Sequence, residues 1–385
     1  MKSAESLNGV YAEAQDGDAG YITSAYRLAF GFSDEWVDGY ISHVGLEKFR
    51  IFSVDDRRAA VMALLPAGHW LGGRVVGAVN ICHVAVAPEF RGLGLASSFL
   101  ERACYEAKQR GFPLATLFAS TRPVYRRAGF ALAGVEMIYE AETRELGRTR
   151  GAQFIRLDLA NAIEHLTPLR RESDRRDAGP LNRHTAHWSA ILQGASGIYV
   201  NADGDAPGYV VLDTSDASCL QVRDWVALNG LAARHILSLL GTFASVFSTV
   251  RWHGSPHDPL VYALPDKGWR LLHQEDWLAR VLDPVLAFEQ RGYPPINVDL
   301  TFNLATPDGD RKLRLEVRGS SARCQERQGS APELSLSLNE LGTLLTGHRS
   351  ASFLRRAGAL SGDDDTVAIA ERLFSGPLPW VAEHF

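Results

Sequence analysis

The sequence predicts a mixed α/β chain of the α+β class, built as three consecutive domains at residues 1–150, 151–288 and 289–385. Three observations carry this expectation. A chain of 385 residues, 46% of them apolar, is too long for one compact core. Up to residue 288 strand-like runs alternate with amphipathic helices, and the element order after residue 150 repeats, in decayed form, the order before it. Beyond residue 288 the pattern changes to alternating strands followed by helices.

In the first domain, Phe30 to Tyr40 (FGFSDEWVDGY) reads as a helix with Trp36 and Tyr40 on one face. Ile81, Val84 and Val86 with Ala85 and Ala87 form a strand, which Pro88 stops. Leu95, Phe99, Leu100, Ala103 and Ala107 then recur at helical spacing, so Arg91-Gly92-Leu93-Gly94-Leu95-Ala96 opens a helix. A helix N-terminus leaves its first N–H groups without partners and carries partial positive charge, so this layout suits a pyrophosphate. Gly92 and Gly94 let the backbone approach the anion, and Arg91 adds charge. The spacing is not GxGxxG and no opening βαβ unit precedes it, which disfavours a dinucleotide fold. Pro113 to Ala119 reads as the next strand, and Ser120 to Phe130 as a loop, a short helix and a turn at Gly129.

The second domain repeats this plan. Ser196 to Leu212 reads as a hairpin about an Asp-Gly turn, Leu220 to Leu228 as a strand, Leu231 to Phe243 as a helix and Phe247 to Trp252 as another strand. Between strand and helix stands only Asn229-Gly230, without the arginine or the second glycine, so no phosphate cradle is expected. In the third domain Asn297 to Leu304 and Lys312 to Val317 alternate around a Thr306 to Asp310 turn, and Glu333 to Leu338 adds a strand. Leu341 to Leu345, Ala351 to Ala357 and Thr366 to Phe374 follow as helices, with Asp363-Asp364-Asp365 where an N-cap belongs. An antiparallel sheet with C-terminal helices is expected.

Val84 to Arg91, followed by Arg91, Gly94 and Ala96, resembles the VAVxPxxR lead-in and RxxGxG/A signature of the GNAT superfamily of acetyl-CoA-dependent N-acetyltransferases. Tyr125, Gly129 and Phe130 resemble that superfamily's YxxxGF element. The third domain resembles a sterol-carrier-protein-like domain, and fold likeness alone assigns it no lipid. The order GNAT, degenerate GNAT, sterol-carrier-like is similar to that of the enhanced intracellular survival (Eis) family, over the whole chain.

The resemblance implies acetyl-CoA as cosubstrate, lying against Val84, Ala85 and Val86, with its pyrophosphate on Arg91, Gly92, Leu93, Gly94, Leu95 and Ala96 and a lesser contact at Ser120. It implies Tyr125 as the general acid that protonates the thiolate, and the α-carboxylate of Phe385 as the general base. Phe32, Asp34, Glu35 and Trp36 lie where the superfamily's first helices form the acceptor wall. The family pattern has an acidic residue immediately before the terminal phenylalanine. Here His384 stands there and Glu383 one place earlier, which leaves open which of them faces substrate. The implied acceptor is a primary amine of a polyamine-like molecule such as an aminoglycoside, or a lysine side chain, and the implied assembly a homohexamer. A protein-lysine or natural-product amine acetyltransferase and a non-catalytic CoA-binding regulator stay open.

Composition sets the remaining bounds. The net charge of −5 argues against nucleic acid and is compatible with a cationic substrate. No apolar run reaches membrane-span length and the start, MKSAESLNGVYAEAQDGD, is not signal-like, so a cytoplasmic protein with no membrane partner is expected. Cys82, Cys104, Cys219 and Cys324 are too scattered for a zinc motif and read as reduced thiols. Gly254-Ser255-Pro256 between His253 and His257 excludes a helical ligand pair, and no metal is expected.

Overall fold

The computed structural model describes residues 9–307, 309–326 and 332–385; the polar start through Asn8, and Asp308 of the expected turn, lie outside the described residues. The first part runs β1 (Gly9–Glu13), α1 (Ala19–Phe30), α2 (Asp34–Val44), β2 (Phe49–Val54), β3 (Arg57–Leu71), β4 (Arg74–Val86), α3 (Leu95–Gln109), β5 (Leu114–Phe118), α4 (Arg122–Arg127) and β6 (Ala131–Glu142). The second runs β7 (Phe154–Arg156), α5 (Leu159–Asp174), α6 (Thr185–Leu192), β8 (Gly197–Asn201), β9 (Gly208–Asp213), β10 (Cys219–Ala227), α7 (Gly230–Gly241), β11 (Thr249–His253), α8 (Pro259–Ala263) and β12 (Trp269–Val281). The order β2-β3-β4-α3-β5 recurs as β8-β9-β10-α7-β11, which is the repeat visible in the sequence.

These strands join in one twelve-stranded sheet, ordered β1-β2-β3-β4-β5-β12-β6-β11-β10-β9-β8-β7. Each half lends its last strand to the other. β12 lies antiparallel to β5, with Trp277 opposite Phe118, while β6 lies against β11. The two repeats are therefore fused through a continuous hydrogen-bonded sheet. α3 seals one face of the first half with Leu95, Phe99, Leu100, Ala103, Cys104 and Ala107, and α1 and α2 cover the other with Ile22, Tyr26 and Val37.

The third part adds α9 (Pro284–Gln290), β13 (Ile296–Thr306), β14 (Gly309–Gly319), β15 (Ser321–Glu326), β16 (Glu333–Ser337), α10 (Leu338–Thr346), α11 (Ala351–Arg356), β17 (Leu360–Ser361) and α12 (Asp364–Leu373). Its five-stranded sheet, ordered β15-β14-β13-β16-β17, corrects the antiparallel expectation. β16 pairs with β13 in parallel, because the chain recrosses the sheet after β15 instead of turning back in a hairpin. The Asp363 side chain accepts the Thr366 N–H, as a cap should.

Past α12 the chain returns to the large sheet. The Val135 N–H donates to Pro379 O and the Val381 N–H to Val135 O, at 3.1 and 3.0 Å, while the Trp380 N–H donates to Ala178 O at 2.9 Å. Two glycines make room: a Cβ on Gly134 would come within 2.6 Å of Pro379 O, and one on Gly179, at φ +99°, would overlap the Trp380 backbone. Trp380 and Val381 are buried by this docking. Among the described residues no helix is long and apolar enough to cross a membrane.

Candidate active site

β4 and β5 pair in parallel only from Ala78 to Asn80 against Leu114 to Thr116. Beyond that point the β4 pairing ends, while β5 continues to Phe118 against β12 and β4 runs on to Val86. A bulge sets the last turn of β4: His83 and Val84 together face Met62 of β3, and His83 takes φ +51°. The Ala87 N–H donates to Ala59 O of β3, so the alternation of a strand directs the Val86 N–H to the opposite edge, into the opening. Arg91 Nε takes the Val86 carbonyl on that same edge at 3.0 Å and so fixes the following loop. Val84 and Val86 lean toward α3, whereas Ala85 is buried against the α1 and α2 side.

That loop has the shape of an anion cradle. Gly92 and Gly94 sit at φ +79° and +80° with open space where a side chain would be, and Gly94 caps α3 without a side-chain bond. Arg91 to Gly94 form turns, and the first N–H groups of α3 have no acceptor within the helix. Unmet donors at the positive end of a 15-residue helix fit a pyrophosphate. The corresponding place in the second repeat is closed, because the Asn229 side chain accepts the Ala232 N–H and occupies the terminus of α7.

On the α3 side, Tyr125 is buried beside Phe130 and Ala128. Burial pushes its hydroxyl up from the ordinary tyrosine range, partly offset by a hydrogen bond with Ser120. It is a full proton donor at neutral pH.

On the other side of the opening lies a cavity of about 950 Å³, lined by parts of both repeats and by the last four residues of the chain. At its edge the Phe385 ring meets Phe118 at 5.1 Å and His69 at 6.0 Å. His384 stacks on Phe118 at 4.1 Å and shares a 2.9 Å bond with Glu136 Oε2. Glu383 accepts from Arg183 Nε at 2.6 Å, and Arg183 also grips Asp224 with two bonds of 2.6 and 2.9 Å. Burial works against its charge, yet the Arg183 and Arg170 guanidiniums hold Glu383 below the usual carboxylate range. Among the described residues no ion pair engages the Phe385 carboxylate.

Phe32, Trp36, Glu383 and Phe385 line the cavity together; Tyr125, Ser120, Asp34 and Glu35 do not. Tyr125, with Ser120 bonded to it, lies instead on the α3 side of the sheet. Asp34 and Glu35 are a correction to the expected acceptor wall: both are exposed in the first turn of α2, Asp34 facing Arg27 at 3.4 Å. The face of α2 that meets the cavity is Trp36, Tyr40, His43 and Val44, a helical spacing the sequence already carried. The site residue that sequence reasoning missed is His83. It lies among Tyr26, Phe30, Phe32, Trp36 and Tyr40 at 5.0–5.7 Å, its Nδ1 is buried without a partner, and burial pushes it down to about 4. Its positive φ is a bulge property that no residue pattern announces.

For a metal, the described residues offer Glu136, His273 and Glu275, whose ligating atoms fall within 4.8 Å of one another. Glu136 is already engaged by His384 and by His253 at 3.3 Å; burial opposes its charge, but these two hold it down to about 2.

A splayed β4/β5 pair, a glycine-rich helix N-terminus and a repeated β-β-β-α-β frame are the marks of a GNAT acyltransferase. Comparison with known proteins agrees. Acetyltransferase (GNAT) domain models match residues 11–133 and 179–281, and a sterol carrier protein domain model matches residues 285–382. An uncharacterized N-acetyltransferase of Streptomyces griseus is 29% identical over 352 residues, 82% of this chain and 83% of that one. N-acetyltransferase Eis of Mycobacterium tuberculosis is 25% identical over 350 residues, 80% of each chain. Among solved structures, a GCN5-related N-acetyltransferase from Anabaena variabilis superposes with a TM-score of 0.90 at 26% identity, covering 98% of this chain and all, 100%, of that one. Eis1 from Mycobacterium abscessus shares the fold, with a TM-score of 0.77 at 20% identity over 98% and 100% of the two chains. The chain carries two acetyltransferase (GNAT) domains and a sterol carrier protein domain, is similar over about four-fifths of its length to N-acetyltransferases that include Eis, and is an acetyl-CoA-dependent N-acetyltransferase.

Proposed function

We propose that this chain transfers acetyl from acetyl-CoA directly to a primary amine, with Tyr125 as general acid and the Phe385 α-carboxylate as general base. The observation that carries the reading is the pairing of the open α3 cradle on one side of the β4/β5 opening with the docked C-terminus on the other. When bound, acetyl-CoA supplies an acetyl group activated as a thioester. Gly92 to Ala96 and Arg91 would hold its pyrophosphate, and the free edge of β4 would receive its pantetheine arm as an added strand. The Val86 N–H is the donor for negative charge developing on the carbonyl oxygen, a role worth about 3–4 kcal/mol in acyl-transfer sites. An alkylammonium is protonated at neutral pH, so a base must take a proton before attack. Phe385 takes it, directly or through water, and Tyr125 gives one to the departing sulfur. No covalent enzyme intermediate is needed.

The family likeness supports a primary amine as acceptor and extends the candidates to polyamine-like molecules such as aminoglycosides and to lysine side chains. The test is to incubate the purified chain with acetyl-CoA and a panel of primary amines, following thiol release and the acetylated product by mass spectrometry. Turnover on at least one amine is expected. Acetyl-CoA binding without turnover on any would favour the CoA-binding regulator.

A further inference from the structure

We propose that Glu136, His273, Glu275 and His384 form a binding site for a divalent transition metal ion of the zinc class, which ties the chain end to the large sheet. The strand register is the first argument. Glu136 of β6 and Glu275 of β12 stand directly opposite each other in an antiparallel pair, where two like charges repel. Other acids of these two strands are answered by arginines: Glu140 by Arg251 and Arg270, and Asp276 by Arg122. Among the described residues, Glu136 and Glu275 form ion pairs with histidines alone. Carboxylates and imidazoles converging on one place are a donor set for zinc, and two carboxylates balance the charge of a divalent ion.

The spacing of the donor atoms is the second argument. In a tetrahedral zinc site, bonds of about 2.0–2.2 Å place neighbouring ligand atoms about 3.3–3.6 Å apart. The ligating atoms of Glu136, His273 and Glu275 lie within 4.8 Å of one another. His273 Nε2 is 3.6 Å from Glu275 Oε2, and His384 Nδ1 is 2.9 Å from Glu136 Oε2 and 3.9 Å from Glu275 Oε2. Small rotations of the β12 side chains close this set around one ion. Stacking on Phe118 at 4.1 Å holds the His384 ring in place. Behind Glu136, His253 Nδ1 lies 3.3 Å from the other carboxylate oxygen and orients it, as partners of metal-ligating carboxylates do. The His273 and His384 side chains are 48% and 52% exposed, which leaves the ion a way in. The ligands come from two strands and the chain end, so no spacing in the sequence announces them. An ion held there would grip the tail at the residue next to Phe385, beyond the anchors that Arg183 and Val135 already provide.

The experiment strips the full chain of metal with a chelator and titrates it with Zn2+ alone, in competition with a chromophoric chelator. Stoichiometric binding is expected, and His273→Ala and Glu275→Gln should each weaken it at least about tenfold. Release of Phe385 by a serine carboxypeptidase, which needs no metal, should slow about tenfold or more when Zn2+ is added to the parent, but not to His384→Ala. No binding by the parent, or Zn2+ held as tightly by both β12 variants as by the parent, would overturn the site; the second result would mark adventitious binding to other histidines. Zn2+ bound at these residues with Phe385 released at an unchanged rate would overturn the tie to the chain end. Should one β12 variant fail to fold, the other decides. None of these readouts needs turnover, so the site stands or falls apart from the acetylation reading.

Discussion

Replacing Glu383 with Ala separates the anchoring of the C-terminal tail from its chemistry. Glu383 accepts a 2.6 Å bond from Arg183 Nε, with only 18% and 3% of the two side chains exposed. A charge-assisted bond of this kind contributes about 1.5–3 kcal/mol, and the buried Nε loses its acceptor when the carboxylate goes. The tail before it holds by other means. Burial of Trp380 and Val381 stabilises by roughly 1.5–3 kcal/mol each, and the two backbone bonds to Val135 contribute about 1 kcal/mol each. Residues through Val381 therefore stay docked, while His384 and Phe385 lose about 2 kcal/mol of ordering, roughly thirtyfold in their docked-to-undocked ratio. The expected result is a kcat reduced by between about threefold and thirtyfold with an acetyl-CoA Kd within about twofold of the parent, since α3 is untouched. Glu383→Gln keeps an acceptor for Arg183 and should retain most of kcat. Steady-state thiol release and calorimetry measure the two constants, and hydrogen exchange at the Val381 amide shows that the rest of the tail is in place. An unchanged kcat in Glu383→Ala would refute the reasoning, because the ion pair would then not hold the last residues at the reaction.

Other consequences can be checked separately. Tyr125→Phe should lower kcat about 100-fold or more while acetyl-CoA affinity stays nearly constant by calorimetry, whereas a large fall in Tm alone would mark Tyr125 as a packing residue. Gly94→Ala forces a side chain into φ +80°, a strain of about 1–2 kcal/mol, so acetyl-CoA should bind roughly 5–30-fold more weakly if that loop shape holds the pyrophosphate. The tail should also depend on pH through His384 and Glu136. Glu136 raises His384 above the usual histidine value of 6.5, so its contribution is complete below that value and is lost as pH rises through the raised pKa. Glu136, held at about 2 against an ordinary 4.5, contributes above 4.5 and loses this as pH falls toward 2. Tail docking, followed by hydrogen exchange or Trp380 fluorescence, should peak between these limits, and His384→Ala should flatten the alkaline side.

Features encoded locally were legible in the sequence. The strand, glycines and helix from Ile81 to Ala96 lie within one short segment, and so do the Asn229-Gly230 loop of the second repeat and the Asp363 cap. Features built by distant segments were not. Nothing in the pattern of Trp269 to Val281 shows that this strand crosses into the first half-sheet beside β5. The Arg183, Asp224 and Glu383 cluster joins the loop before α6, β10 and the chain end, so its members read separately as solvated charges. His83 gains its character from a bulge and from rings on two helices. Asp34 and Glu35 were misplaced for a simpler reason: at 100° per residue they turn away from the face that Trp36 and Tyr40 present.

The proposed role of the Phe385 α-carboxylate, to take the proton from the acceptor amine, can be tested at that group alone. Semisynthesis of the chain with Phe385 as its C-terminal amide removes that charge and keeps the ring that packs on Phe118. The expected kcat is lower by about 10²-fold or more at unchanged acetyl-CoA affinity; an amide with the parent's kcat and pH profile would rule out the carboxylate as base.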